Sequence, residues 1–153
     1  MPETIAQPAV GAHISDIPLL DPADAASRLI DELSGRPAVL FFMRAADCPV
    51  CLAHTRSLGR MIESGALDGV AVFVIAPGDA GQARVARARI ASPDIEVRAS
   101  GDHHADLGLG KFLTLQHSGT FVVDTGGRIL SAQTSALPTA SFSRAKVLAA
   151  LGR

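Results

Sequence analysis

Two short apolar runs, Ala38–Met43 and Val70–Ala76, do most to restrict what this chain can fold into. Neither alternates apolar with polar residues, and both are bounded by breakers, so each is expected to be a strand covered on both faces. Between them Val50, His54, Leu58, Met61 and Ile62 recur at helical intervals until Ser64-Gly65. A buried strand, an amphipathic helix and a second buried strand in succession form a parallel unit. The chain's two cysteines, Cys48 and Cys51, stand at the start of that helix.

The flanking segments add further elements. Asp21-Pro22 reads as a helix start, with Ala26, Leu29, Ile30 and Leu33 at helical spacing and Ser34-Gly35 as the stop. Gly78-Asp79 opens another helix reaching about Ala91, with Ala83, Ala86 and Ile90 inward and Arg84, Arg87 and Arg89 forming a solvated outer face. Ile95, Val97 and Ala99 alternate with charged residues, as in a half-exposed edge strand, and Asp102 to Gly108 is a short helical stretch. Gly119–Asp124, the turn Thr125-Gly126-Gly127 and Arg128–Gln133 make an antiparallel hairpin. A terminal helix follows, capped by Thr139 or Ser141, with Phe142, Ala145, Leu148, Ala149 and Leu151 on its inner face. The whole is expected to be a single α/β domain over residues 1–153, with a central mixed sheet flanked by helices.

Composition narrows the function. A net charge of −1 and a pI near 6.5 supply no field for nucleic acid or an anionic membrane. Trp and Tyr are absent, which removes the usual stacking platforms for single strands, and the six Phe lie mostly in apolar runs. No apolar stretch approaches the roughly 20 residues of a membrane span. Met1–Val10 carries Glu3 and no basic residue, unlike a secretory leader, so a soluble cytoplasmic protein is expected.

The cysteines are the chemical centre. Cys48 falls at the helix cap, Pro49 at the first helical position and Cys51 within the first turn. Unpaired amides and the positive end of the helix dipole favour a thiolate there, which makes a nucleophile. Two intervening residues let the sulfurs reach bonding distance, so that one attacks and the other resolves. Arg44 is placed to add positive charge, while Asp47 beside Cys48 opposes it. His54, three positions after Cys51 on the same helix side, is either a proton acceptor for the thiol or a boundary histidine. His103 and His104 are taken as surface residues. A metal site would need ligands from His54, His103, His104 and His117, which have no finger-like spacing. Two unreactive cysteines packed in a helix turn are the remaining reading.

The segment Val39-Leu-Phe-Phe-Met-Arg-Ala-Ala-Asp-Cys-Pro-Val-Cys-Leu-Ala-His54 resembles the active-site segment of peroxiredoxin-like redoxins, those related to alkyl hydroperoxide reductase and thiol-specific antioxidant. Gly119-Thr-Phe-Val-Val-Asp-Thr-Gly-Gly-Arg-Ile129 resembles their second hallmark, a strand ending in Asp before a glycine turn. The Cys-Pro-Val-Cys is also similar to that of thiol-disulfide oxidoreductases of the methylamine dehydrogenase accessory type. With the helix order, the resemblance covers most of Ala12 to Leu151. It implies a thioredoxin-like fold with a peroxiredoxin-type insertion before the C-terminal hairpin, and an antioxidant oxidoreductase needing no cofactor. A peroxide or protein disulfide would be the substrate and a cellular thiol the reductant.

The resemblance leaves the attacking sulfur open. Peroxiredoxin alignment puts Cys51 at the peroxidatic position and Cys48 where a Thr usually stands, whereas thioredoxin-like enzymes attack with the first cysteine. Ser118 and Gly119 occupy the place where thioredoxins carry a cis-proline and many peroxiredoxins an activating Arg. That departure keeps a non-catalytic binding module as the alternative function, with a metal-binding domain behind it. Oligomeric state is not readable from these residues.

Overall fold

A computed structural model of the chain describes residues 10–112 and 115–153. The leaderless reading of the N-terminus concerns residues that lie, but for Val10, outside those described. The two apolar runs form β3 (Ala38–Phe42) and β4 (Ala71–Ala76), every residue of both buried. They pair in parallel, Ala38 opposite Ala71 through Phe42 opposite Ile75. The crossover between them is α2 (Pro49–Glu63), which turns Cys51, Leu52, Thr55, Leu58, Gly59 and Met61 inward.

The other segments extend that unit. β1 (Pro18–Leu20), β2 (Ala26–Arg28) and α1 (Leu29–Leu33) precede it, and α3 (Ala80–Arg89) and β5 (Glu96–Ala99) follow it. A short 3-10 helix (His103–Leu107) and a two-stranded β6 (Lys111–Phe112) and β7 (Leu115–Gln116) fill the expected insertion. The hairpin β8 (Ser118–Val123) and β9 (Ile129–Ser135) and then α4 (Arg144–Ala150) close the chain. Among the described residues the main sheet has seven strands in the order β2-β1-β5-β4-β3-β8-β9. This is the mixed α/β sheet of the thioredoxin-like fold.

Alternation along β3 divides the core in two. Val39, Phe41 and Met43 pack with both cysteines, Leu58, Met61 and Val147 on one face. Leu40 and Phe42 pack with Leu19, Leu29, Leu107 and Phe121 on the other. The dithiol therefore sits at the end of a central strand, beneath the face covered by α2 and α4.

Four local expectations are corrected. Residues 22–28 are not helical: the Asp21 carboxylate accepts from the amides of Ala23 and Ala25, at 2.8 and 2.9 Å, and Asp24 adopts a φ of +67°. That Asx turn reverses the chain between β1 and β2, so the helix starts only at Leu29. β5 is not an edge strand, since β1 joins its outer side with Leu20 opposite Ala99. Arg87 does not belong to a solvated face: its guanidinium donates to the carbonyls of Ile90, Ser92 and Ile95 and ties the end of α3 to the next loop. Finally, α4 is capped by Ser143, whose hydroxyl accepts from the Lys146 amide at 3.3 Å, rather than by Thr139 or Ser141.

Candidate active site

The turn from β3 into α2 places both sulfurs. Cys48 is the N-cap, with extended backbone (φ −63°, ψ 118°), and Pro49 starts the helix where no amide donor is lost. The Cys48 sulfur accepts from the Cys51 amide at 3.4 Å, the hydrogen bond a Ser or Asp cap would make. Cys51 lies one turn deeper and accepts from the Arg44 amide at 3.4 Å. Both are free thiols, 3% and 0% exposed.

Depth separates their chemistry. Burial raises the Cys48 pKa, yet the Cys51 amide, the Cys51 thiol and the charge and hydrogen bond of Arg44 together outweigh it, so the net shift is downward. Cys51 goes the other way. Burial, the largest effect, and the neighbouring Cys48 sulfur push it up to about 12, against the opposing Arg44 amide. The surroundings thus move Cys48 toward the thiolate and Cys51 away from it, the direction of difference that attack and resolution need.

The other sequence-derived candidates distribute unevenly. Arg44 is half-buried and contributes both its charge to Cys48 and its backbone amide to Cys51. Asp47 is exposed and is not among the groups acting on Cys48. His54 packs between Phe41 and Phe142, with ring centroids 5.5 and 5.1 Å away. It bridges the dithiol helix to the segment leading into α4. Ser118 is 1% exposed and lies on the strand face shared with Thr120 and Val122, the face of the dithiol core. Its Oγ is a buried hydroxyl without a hydrogen-bond partner among the described residues, and the Nε of Arg44 is likewise buried and without one.

Gly119 points to the opposite face. A Cβ there would stand 3.0 Å from the Leu109 side chain, 3.1 Å from the Gln133 carbonyl and 3.2 Å from the Thr134 methyl. The glycine therefore permits close approach of backbone rather than presenting a group to the sulfurs. Gly119→Ala is expected to destabilise the protein by about 1–2 kcal/mol through overpacking, measured as a lower urea midpoint at unchanged slope.

One residue of this region is not legible in the sequence. His104, expected at the surface, is fully buried and hydrogen-bonded through both ring nitrogens, to Ser100 and to the Met43 carbonyl. Nothing in the His-His pair marks which ring is buried, since that depends on a contact with a residue 61 positions away. His104 is consequently not an open metal ligand. Among the described residues no three His, Cys, Asp or Glu side chains converge as a metal site would require.

Fold and site together define a thioredoxin-fold thiol oxidoreductase. The chain belongs to the Redoxin family, whose model matches residues 9–151. Solved structures agree in fold. Peroxidoxin BcpB from Mycobacterium tuberculosis is 25% identical, with a TM-score of 0.74 covering 95% of this chain and 97% of that one. Reduced Prx3 from Vibrio vulnificus in complex with hydrogen peroxide is 21% identical, with a TM-score of 0.76 over 94% and 98% of the two chains. The thiol peroxidase from Chromobacterium violaceum is 16% identical, with a TM-score of 0.76 over 96% and 85%. No curated protein sequence matches this chain significantly. Among the described residues no helix is long and apolar enough to cross a membrane.

Proposed function

We propose that this redoxin is a thiol-dependent peroxidase in which Cys48 attacks and Cys51 resolves. The observation that carries the reading is a pair of free sulfurs one helical turn apart at a helix N-terminus, with Cys48 accepting from the Cys51 amide and Cys51 from the Arg44 amide, surroundings that lower the Cys48 pKa and raise that of Cys51. The Cys48 thiolate would displace the leaving oxygen of a hydroperoxide, taking up the other oxygen as a sulfenic acid while the departing alkoxide or hydroxide gains a proton. Cys51 would then attack the sulfenic sulfur, giving the Cys48–Cys51 disulfide and water. Two equivalents of a cellular thiol would then reduce this disulfide by exchange, returning two electrons and two protons and leaving as their own disulfide.

Burial favours a small oxidant over a protein disulfide. At 3% and 0% exposure the two cysteines present almost no surface to a disulfide carried on another chain, which must approach Cys48 in line past its surroundings. The unpartnered Ser118 hydroxyl and Arg44 Nε are polar groups that a bound peroxide could engage. The likeness to a peroxiredoxin solved with hydrogen peroxide supports the same substrate class. A reduced dithiol that cycles in this way suits a reducing compartment, in keeping with the cytoplasm.

Treating the reduced protein with one equivalent of hydrogen peroxide tests the proposal. The expected result is rapid loss of both thiol hydrogens, through a dimedone-trappable sulfenic acid, at a rate well above that of a free thiol. A rate no greater than a free thiol's, with the dithiol intact, would favour the non-catalytic module.

A further inference from the structure

The loop carrying the thiols is fastened by a residue from the other side of the sheet. His104, in the short 3-10 helix, packs its ring edge-on against Phe42 with centroids 5.1 Å apart, in the core that excludes the cysteines. Its Nε2 lies 3.0 Å from the Met43 carbonyl oxygen and its Nδ1 2.6 Å from the Ser100 hydroxyl. A carbonyl only accepts, so Nε2 carries the proton. Burial, the main cause, holds the ring neutral by pushing its pKa down to about 4, so Nδ1 accepts and the Ser100 hydroxyl donates.

The Met43 carbonyl and the Arg44 N–H are the two ends of one planar peptide unit. Anchoring one end aims the other, and the Arg44 N–H donates to the Cys51 sulfur at 3.4 Å. Met43's own amide is tied to the Ile75 carbonyl at 2.9 Å, so the preceding strand is already fixed. His104 supplies the constraint that sets this last peptide.

We propose that His104 is a positioning residue for the dithiol, holding the Met43–Arg44 peptide so that its N–H orients the Cys51 sulfur toward Cys48. The donors then run in one direction: Ser100 hydroxyl to His104, His104 to the Met43 carbonyl, Arg44 amide to Cys51, and Cys51 to the Cys48 sulfur. Aligned hydrogen bonds polarise one another, so a chain ending on a thiolate favours the anion more than its last bond alone would. This role rests on the proposed attack by Cys48 only in naming the sulfur to follow.

The test follows the pH dependence of alkylation of the fully reduced chain by iodoacetamide, with the modified cysteine identified by mass. His104→Phe keeps an aromatic ring against Phe42 and removes both hydrogen bonds. His104→Gln retains a donor for the Met43 carbonyl, and Ser100→Ala removes only the brace that fixes the tautomer. In His104→Phe the apparent pKa of the reactive sulfur should rise by about half a unit, a roughly threefold fall in thiolate fraction at pH below it. His104→Gln should recover at least half of that shift, and Ser100→Ala should move the same way by less. A folded His104→Phe with the wild-type profile, or a His104→Gln shifted just as far, overturns the proposal. If His104→Phe does not fold, an unshifted Ser100→Ala overturns it and a shifted one beside a near-normal His104→Gln supports it. Alkylation mapping to Cys51 instead would refute the proposed order of attack, while a shift of that sulfur in the variants would still support the positioning role.

Discussion

Cys48→Ser is expected to lower peroxide turnover by more than roughly a thousandfold, because a hydroxyl cannot replace a thiolate as nucleophile at neutral pH. Cys51→Ser should fail differently. Its Cys48 lacks the neighbouring thiol that donates to it, but it keeps the amide of residue 51 and the charge of Arg44. It should therefore still react once with peroxide and stop at the sulfenic acid, visible as an oxygen adduct on the intact mass. Multiple turnover should be lost in both variants, and the single-turnover burst in Cys48→Ser alone. The reverse pattern, with the burst surviving in Cys48→Ser, would assign attack to Cys51 as peroxiredoxin alignment implies, with the Arg44 amide as its stabilising donor.

Acid sensitivity is the second large effect. His104 is neutral when folded and protonates at about 4, against 6.5 for the exposed ring. Between these values the unfolded chain holds a proton on this ring and the native protein does not. Stability therefore rises with pH across the window and falls as the solution is acidified from about 6.5 toward 4. Below about 4 both states carry the proton and the dependence ends. The interval corresponds to roughly 3 kcal/mol, a large share of an ordinary domain's stability. Urea unfolding of the reduced protein at closely spaced pH values measures it, and His104→Phe should lose most of the slope in that interval. An equal slope in both proteins would rule out His104 as its source.

Two carboxylates act in a lower range and do not confuse the result. Asp16 is held below its ordinary value chiefly by the Ile30 amide, with Arg28 assisting against burial. Asp124 is held down mainly by the amides of Arg128 and Gly126. Each favours the folded state above the ordinary carboxylate pKa of 3.8 and loses that effect as pH falls through its own lower value. Their contribution disappears at more acidic pH than that of His104.

Elements whose signals are local were readable from the residues alone. The runs 38–43 and 70–76 became strands because their apolar character is continuous, and the helix between them followed from spacing and its Pro49 start. The hairpin followed from Asp124 and its glycine turn, where the carboxylate accepts from the amides of Gly126 and Arg128, each at 2.9 Å. The placement of two cysteines at a helix N-terminus needed nothing more.

Long-range contacts decided the rest. Asp21-Pro22 is as good an opening for an Asx turn as for a helix, and pairing of Leu20 with Ala99 accompanies the turn. Which of two adjacent histidines is buried depended on a carbonyl at the end of β3. The two sulfurs share one motif, yet only their depths in the folded core, and the groups brought to each, shift the pKa of one down and of the other up. Periodicity and capping act over a few residues and can be read along a chain, whereas desolvation and cross-sheet hydrogen bonds exist only after distant segments meet.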